Sequence, residues 1–560
     1  MPRALDFSPV DCRCAARGLP SGCASNPVVA CATVVAAAFA KLLARCLPAV
    51  PALLAASALG TGCAAPEPLP APNLVIVLAD DLGWGDLGAY GATRLKTPNI
   101  DRLASQGMRF TDAHAASAAC SPSRYGLLTG RYPWRANLLG PLLRKDPLAI
   151  DPNRLTLADL AKRAGYATAA IGKWHLGFGV EHPDWNGRLA PGPLELGFDS
   201  YFGIPVLNSH PPFVYVEDHA VLGLDPADPL RFHKGHMSSR GKIEDWADGG
   251  EAARALYVDE EIGATLVDHA VDFIERNAKQ RFLLYLATTH IHHPFTPAAA
   301  FRGTSDAGVY GDFVQELDWM VGRVLDTLAR LGLEDDTLVV FTSDNGAYYM
   351  WDTRTAWKLG HRPNGPLLGQ KFDVWEGGQR VPFIARWPGH VPAGAVSDSL
   401  ISLVDLVATV AHLTGQSLPA AAAEDSFDLV PALLDAHPAT PPRDHVVLAS
   451  AGGLLGLRRG DYVYIDGPGG GGFGWWRHRR PDVPLARWQR AFAFAGRPNS
   501  DLQPNGRFRP GAPARQLYDL GRDLAQTTNR FPGDAARAAR MADALRSAVR
   551  QGRTRPVDAQ

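Results

Sequence analysis

The chain has 560 residues, of which 46% are apolar, and its 56 Lys and Arg nearly balance 57 Asp and Glu for a formal net charge of −1. That length and apolar fraction suit one large globular domain or two to four ordinary ones with a sizeable core. The near-neutral balance excludes a global field that draws in nucleic acid or an acidic membrane, so any anion binding must be local.

Residues 1–72 differ from the rest. Positions 1–27 are cysteine-rich and lack helical or strand periodicity. Lys41-Leu-Leu-Ala-Arg45 then precedes an apolar run from Cys46 to Gly60, followed by Thr61-Gly62-Cys63 and a Pro/Ala-rich spacer. Basic residues, an apolar core and small residues make an export signal. The run is short for a transmembrane helix. Two fates stay open: plain cleavage and release, or a lipid anchor at Cys63, which resembles the cysteine of a bacterial lipoprotein. The expected location is periplasmic, on the outer membrane, or extracellular. The late start of the signal suggests that the first residues come from a misassigned start.

Asn73 to Ala79 is a continuous apolar run, read as a strand buried on both faces of a parallel sheet. It ends in Asp80-Asp81, at the carboxyl end where open α/β sheets place ligands. Adjacent carboxylates repel, so a cation between them is favoured over a solvated turn. Pro98 opens a helix that Gly107 ends. Next comes Ser117 to Pro133, centred on Cys120-Ser121-Pro122-Ser123-Arg124. Six of the seven cysteines lie at or before Cys63, which leaves Cys120 without a disulfide partner in the body of the chain. It is either a small buried hydrophobe or a catalytic position near the Arg124 charge. A helix over 125–129 puts Cys120 at a helix N-terminus, where negative charge is favoured.

A helix over 155–164 leads to a short strand at 167–171 and to Lys173-Trp174-His175. Residues 178–250 are loop-rich and read as a substrate rim. Helical periodicity covers 252–277, and Phe282 to Ala287 is a second buried strand running into His290-Ile291-His292-His293. Those histidines raise the possibility of zinc, but the spacing is not helical and no thiol is near, so anion contacts or acid/base work are preferred. A long amphipathic helix spans 311–331. The buried strand at 337–341 ends in Thr342-Ser343-Asp344-Asn345. Asp80, Asp81, Asp344 and Asn345 offer only oxygens, which suits Ca²⁺ or Mg²⁺ rather than zinc. A strand at 381–385 and a helix over 399–413 follow. Beyond about 444 come short strands at 446–448, 462–465 and 516–520, an irregular Gly/Trp/Arg-rich insertion at 467–515, and a helix over 534–551 capped by Asp534.

In chain order the blocks L-A-D-D-L-G-W-G-D, C-S-P-S-R with L-L-T-G-R, G-K-W-H-L-G, H-x-P, F-T-S-D-N-G and W-E-G-G-x-R resemble those of the formylglycine-dependent sulfatases. The likeness runs from about 73 to 535. It implies an α/β, alkaline-phosphatase-like fold, with a large mixed sheet sandwiched by helices and a smaller C-terminal antiparallel sheet and helix. The implied organisation is an export segment and spacer at 1–72, a catalytic domain at 73–440 and a C-terminal subdomain at 441–560.

The resemblance also implies the chemistry. A formylglycine-generating enzyme would oxidise Cys120 to an aldehyde that hydrates to a diol. Asp80, Asp81, Asp344, Asn345 and the modified Cys120 would hold Ca²⁺, in preference to Mg²⁺. Arg124, Lys173, His175, His292 and Lys371 match catalytic and sulfate-binding positions. A diol oxygen attacks sulfur, His292 or Lys371 protonates the departing alcohol, and His175 takes the proton that expels sulfate. Arg124 and Lys173 hold the diol and the developing charge. A further polar contact falls on Asn208 or Ser209, after Gly203-Ile204-Pro205. The implied substrate is a sulfated carbohydrate or an aryl sulfate, with no nucleic acid involved. The alternatives are a phosphonate monoester or phosphodiester hydrolase of the same superfamily, a non-catalytic sulfoglycan-binding protein, and a zinc hydrolase built on 290–293.

Overall fold

The computed structural model describes residues 69–244, 246–472, 497–503 and 508–556. The export segment with Cys63 and most of the 467–515 insertion lie outside the described residues. Leu69 onward forms one compact unit. No helix among the described residues is long and apolar enough to cross a membrane.

A ten-stranded sheet organises this unit. In chain order its strands are β1 (Asn73–Ala79), β2 (Met108–Phe110), β3 (Ala167–Gly172), β4 (Ser200–Gly203), β5 (Val216–Glu217), β6 (Ala220–Val221), β7 (Phe282–Ala287), β8 (Thr337–Ser343), β9 (Phe383–Arg386) and β10 (Ala395–Ser397). Their spatial order is β10-β2-β9-β8-β1-β7-β3-β4-β5-β6. The central strands β8, β1, β7, β3 and β4 are parallel, so their carboxyl ends share one edge. Antiparallel β9 and β5 flank this core. Every residue of β1, β7 and β8 is buried. Successive side chains point to opposite faces, so both faces of the sheet are covered.

The cover comes from two packed groups of helices. One contains α1 (Pro98–Gln106), α4 (Ile262–Arg276) and α5 (Gly308–Arg330); the other contains α2 (Cys120–Thr129), α3 (Leu157–Arg163) and α6 (Leu406–Leu413). A separate antiparallel sheet is built from β11 (His445–Ala449), β12 (Leu455–Arg459), β13 (Tyr462–Ile465) and β14 (Gln516–Asp519). The closing helix α7 (Ala535–Arg550) packs on it through Met541 and Leu545 against Leu457 and Tyr464. Asp534 caps α7, accepting from the Arg537 N–H at 3.1 Å.

Three local expectations change. The helix after Ala119 begins at Cys120 rather than at 125. The 252–277 stretch is two helices, because Val258 is extended and Asp259–Glu261 form a 3₁₀ turn. The 399–413 stretch is helical in earnest only from Leu406. Ser402 and Asp405 form a capping box over a 3₁₀ turn, and Ile401–Ser402 pairs with Ala113–His114.

Candidate active site

The parallel ladder continues past the strand ends and fixes the site backbone. The N–H of Asp80 donates to the His290 carbonyl at 2.7 Å, that of Asp344 to Ala79 at 3.1 Å, and that of Lys173 to Ala287 at 2.7 Å. Residues from β1, β7, β8 and β3 therefore meet at one edge. Glycines let the Lys173 loop close: a Cβ on Gly172 (φ +108°) would lie 2.0 Å from the Ala287 oxygen, and one on Gly203 would lie 1.8 Å from the Gly172 oxygen. Trp174 and His175 then donate backbone N–H groups to Ile204 and Pro205. Asp81, His175 and Phe372 hold positive φ angles of 62°, 56° and 80°. For bulky side chains such angles persist only where the surroundings over-determine them, as at functional sites.

Cys120 is the first residue of α2, all ten of whose residues are buried. The serines of its motif are structural. Ser123 Oγ accepts from the Ser117 N–H and donates to the Ser117 carbonyl, while Ser121 Oγ accepts from the Leu142 N–H. Burial pushes the Cys120 thiol up, against the pull of Lys173 and Lys371. The ligand atoms of Cys120, Asp80 and Asp344 all lie within 4.8 Å of one another.

Arg124, one turn on, is fully buried. Its Nε and Nη2 donate to Asp344 Oδ2 at 3.0 and 2.8 Å, and its Nη1 donates to the Lys173 carbonyl at 2.7 Å. Burial opposes its charge, but Asp344 and its neighbours hold its pKa above the ordinary arginine value. Lys173 Nζ bonds Asp80 Oδ2 at 2.5 Å, and Lys371 Nζ bonds Asp81 Oδ1 at 2.5 Å. Asn345 Nδ2 donates to the same Asp81 oxygen at 2.8 Å. Asp80 Oδ1 and Asn345 Oδ1 are buried and have no donor. Orphaned acceptors among three carboxylates and an amide fit a hard cation, and an all-oxygen set fits Ca²⁺ or Mg²⁺.

The imidazoles have defined roles for their nitrogens. His175 Nε2 meets the Leu142 carbonyl at 2.8 Å, so it carries the proton of the neutral ring. Its Nδ1 is buried without a partner. Burial, with Lys173 and Arg124, lowers the His175 pKa well below the usual value. His292 Nδ1 faces two acceptors, Asn208 Oδ1 at 3.0 Å and the His293 carbonyl at 2.7 Å, and therefore also carries a proton. Its Nε2 lies 3.8 Å from Asp81 Oδ2.

The three neighbouring histidines diverge. His290 faces α5, with Nε2 3.6 Å from Glu316 and its ring 4.1 Å from Phe313. His292 and His293 stack at 4.1 Å, and a single ligand atom from each groups with Asp81. All ten predicted site residues are buried at this edge. The sequence left Asn208 and Ser209 as equals. The structure sets Asn208 against His292, whereas Ser209 Oγ bonds His210. His293 was read only as one of the 290–293 histidines, and Tyr348 and Trp351 escaped the sequence reading. The His293 ring is 3.9 Å from Trp351, which lies 5.8 Å from Tyr348, so an aromatic wall stands beside Lys371 and Phe372. Tyr348-Tyr349-Met350-Trp351, just after Asn345, was the available signal.

Buried oxygen donors flanked by two lysines, an arginine and neutral imidazoles, at the carboxyl edge of a parallel sheet, define a hydrolase of anionic esters. Known proteins narrow the class. The family model for sulfatases matches residues 72–416. An N-acetylgalactosamine-6-O-sulfatase of Bacteroides thetaiotaomicron is 37% identical over 465 residues, spanning 76% of this chain and 89% of that protein. Pig N-acetylgalactosamine-6-sulfatase is 40% identical over 400 residues, spanning 68% of this chain and 69% of its own. Mouse steryl-sulfatase is 36% identical over 416 residues, 66% of each chain. Among solved structures, one from work on glycosaminoglycan metabolism by Bacteroides thetaiotaomicron superposes with a TM-score of 0.73 at 34% identity, covering 85% of this chain and 98% of that one. A phosphonate monoester hydrolase of Agrobacterium radiobacter shares the fold alone, with a TM-score of 0.53 at 19% identity over 86% and 96% of the chains. The chain belongs to the sulfatase family and is a sulfuric ester hydrolase.

Proposed function

We propose that this chain removes sulfate from a sulfated carbohydrate, with a 6-sulfated N-acetylgalactosamine as the first candidate, through a formylglycine made from Cys120. The clustering of Asp80, Asp344 and Cys120 ligand atoms within 4.8 Å carries this reading, because it sets residue 120 among hard-cation donors. The relatives named for N-acetylgalactosamine 6-sulfate, at 37% and 40% identity, support the sugar. Asp80, Asp81, Asp344 and Asn345 would hold Ca²⁺, which supplies Lewis-acid polarisation of a sulfate oxygen.

The chain's own residues do the rest. Residue 120, as the aldehyde hydrate, offers one hydroxyl to sulfur. Arg124, locked by Asp344 and the Lys173 carbonyl, presents a fixed positive charge to that oxygen. Lys173 and Lys371 hold the sulfate oxygens as charge develops. Either His292, after taking the proton of the attacking hydroxyl at its open Nε2 while Nδ1 stays bonded to Asn208 and the His293 carbonyl, or Lys371 protonates the departing alcohol. His175 Nδ1, a free buried acceptor, takes the proton of the second hydroxyl, which restores the aldehyde and releases sulfate. Export belongs to the same proposal, since an extracellular glycan needs an enzyme outside the cytoplasm, with cleavage and release or a lipid anchor at Cys63 as its two outcomes.

The test is a rate panel on protein matured with the formylglycine-generating enzyme. It compares N-acetylgalactosamine 6-sulfate, its 4-sulfate isomer, a steryl sulfate, an aryl sulfate and an aryl phosphonate. Highest kcat/KM on the 6-sulfated sugar is expected. Preference for the phosphonate or the steryl ester would refute the proposed substrate.

A further inference from the structure

Beside the sulfate site lies an open cleft of about 460 Å³ whose lining is cationic. Arg144, Lys145 and Lys234 line it with His210 and His233, and no described lining residue is acidic. This is unusual on a chain with a formal net charge of −1. Arg144 has no ion-pair partner among the described residues. Its guanidinium stands 5.1 Å over the Phe232 ring, and burial alone lowers its pKa. Trp246, 7% exposed, forms an apolar wall. An unpaired cation half-withdrawn from water beside a flat apolar wall suits an anionic group on a sugar ring.

Two stretches tie this cleft to the chemistry. Residues 142–145 start at the Leu142 carbonyl that holds His175 Nε2 and run into Arg144 and Lys145. Residues 208–210 start at Asn208 against His292 and end at His210 on the cleft wall. Burial first, then the charges of Lys371 and Lys173, lower the His210 pKa from 6.5 to about 4. A third segment closes the rim. A Cβ on Gly241 would lie 2.6 Å from His293 and 2.7 Å from Trp351, and the Ile243 N–H donates to the Ser209 carbonyl at 2.8 Å.

We propose that this cleft is a subsite for a second anionic group of the glycan, a uronate carboxylate or a second sulfate, held while the scissile ester sits at residue 120. The substrate class is then a polyanionic glycan instead of a singly sulfated one. This deepens the proposed function and rests on it for the identity of the scissile ester.

The experiment measures binding and turnover separately. Calorimetry on a Cys120→Ala background compares N-acetylgalactosamine 6-sulfate, its 4,6-disulfate, a 6-sulfated uronate disaccharide and the carboxyl-reduced form of that disaccharide. The uronate and its reduced form test the carboxylate; the disulfate tests the second sulfate. At least one two-anion glycan is expected to bind about tenfold tighter than the one-anion sugar, with an advantage that fades as salt rises. Lys145→Ala/Lys234→Ala alters only exposed lysines, and Arg144→Gln is the second variant. Each is expected to erase most of that advantage and leave binding of the one-anion sugar and the melting temperature unchanged. In matured enzyme the loss appears as a KM increase at constant kcat. Equal affinity for all four glycans, or equal losses on every glycan, would overturn the subsite. Failure of the matured enzyme to hydrolyse any sulfate ester would instead overturn the functional reading, and the calorimetry would still decide the subsite.

Discussion

Asp373 carries a quantitative prediction. The residue is 3% exposed and its carboxyl group is sealed under the glycine run at 469–472; a Cβ on Gly470 or Gly472 would lie 2.4 or 2.6 Å from its Oδ1. It accepts the Gln370 N–H at 3.2 Å. Burial, only partly offset by backbone donors, raises its pKa from 3.8 to about 8. Below pH 3.8 both native and unfolded chains hold this proton, and the group has no effect on stability. Between 3.8 and 8 the unfolded chain ionises while the native one does not, so stability falls as pH rises. Above 8 both are ionised and the loss is complete. Four pH units at 1.36 kcal/mol each give a loss of about 5 kcal/mol, an upper bound because water reaching the carboxylate would soften it. In Asp373→Asn this titration is gone. The assay is urea unfolding of both proteins from pH 4 to 8.5, read as the difference between the two stability curves. That difference is expected to move in the variant's favour by several kcal/mol across the window, whatever constant cost the amide adds. A difference that stays flat with pH would refute the buried, proton-retaining carboxyl.

Other predictions concern the site. Cys120→Ser, made in a host that converts only cysteine, is expected to fold and to lose sulfate ester turnover; unchanged turnover would refute the formylglycine route. Chelation of divalent cations should lower both activity and melting temperature, and Ca²⁺ restored to a hundredfold excess over its Kd should return about 2.7 kcal/mol. Thermal melts and rates across a Ca²⁺ titration check this, and indifference to exhaustive chelation would count against the four-oxygen site. Arg124→Lys loses the forked contact with Asp344 and leaves a poorly paired buried carboxylate. It should cost about 3 kcal/mol in unfolding experiments and depress kcat by more than a hundredfold. Asn208→Ala removes one of the two acceptors of His292 Nδ1 and should lower kcat about tenfold with little change in melting temperature, the scale of one hydrogen bond.

The strands that build the site edge were legible because they are buried on both faces. Asn73 to Ala79 and Phe282 to Ala287 read as uninterrupted apolar runs, and the observed strands have those bounds. Leu455–Arg459 was not legible as a strand. Its run holds a glycine and two arginines, and the Arg458 charge is neutralised by Asp112 at 2.8 Å, more than three hundred residues away in sequence. The split of 252–277 was hidden because its apolar residues keep helical spacing across the Asp259–Glu261 turn. In the site, the ten motif residues were legible because short contiguous blocks carry them. Asn208 was named only as an equal of Ser209, and His210 and Arg144 were not named at all. They sit in irregular loops, and only the closure of those loops on His292 and His175 brings them to the same edge.

The central claim is that residue 120 is no longer a cysteine in the working enzyme. Mass spectrometry of the tryptic peptide Phe110–Arg124, from protein made alongside the formylglycine-generating enzyme, tests it directly. The mass loss expected for conversion of thiol to aldehyde, with reactivity toward a hydrazide probe, is predicted. An intact thiol in protein that still hydrolyses sulfate esters would contradict it.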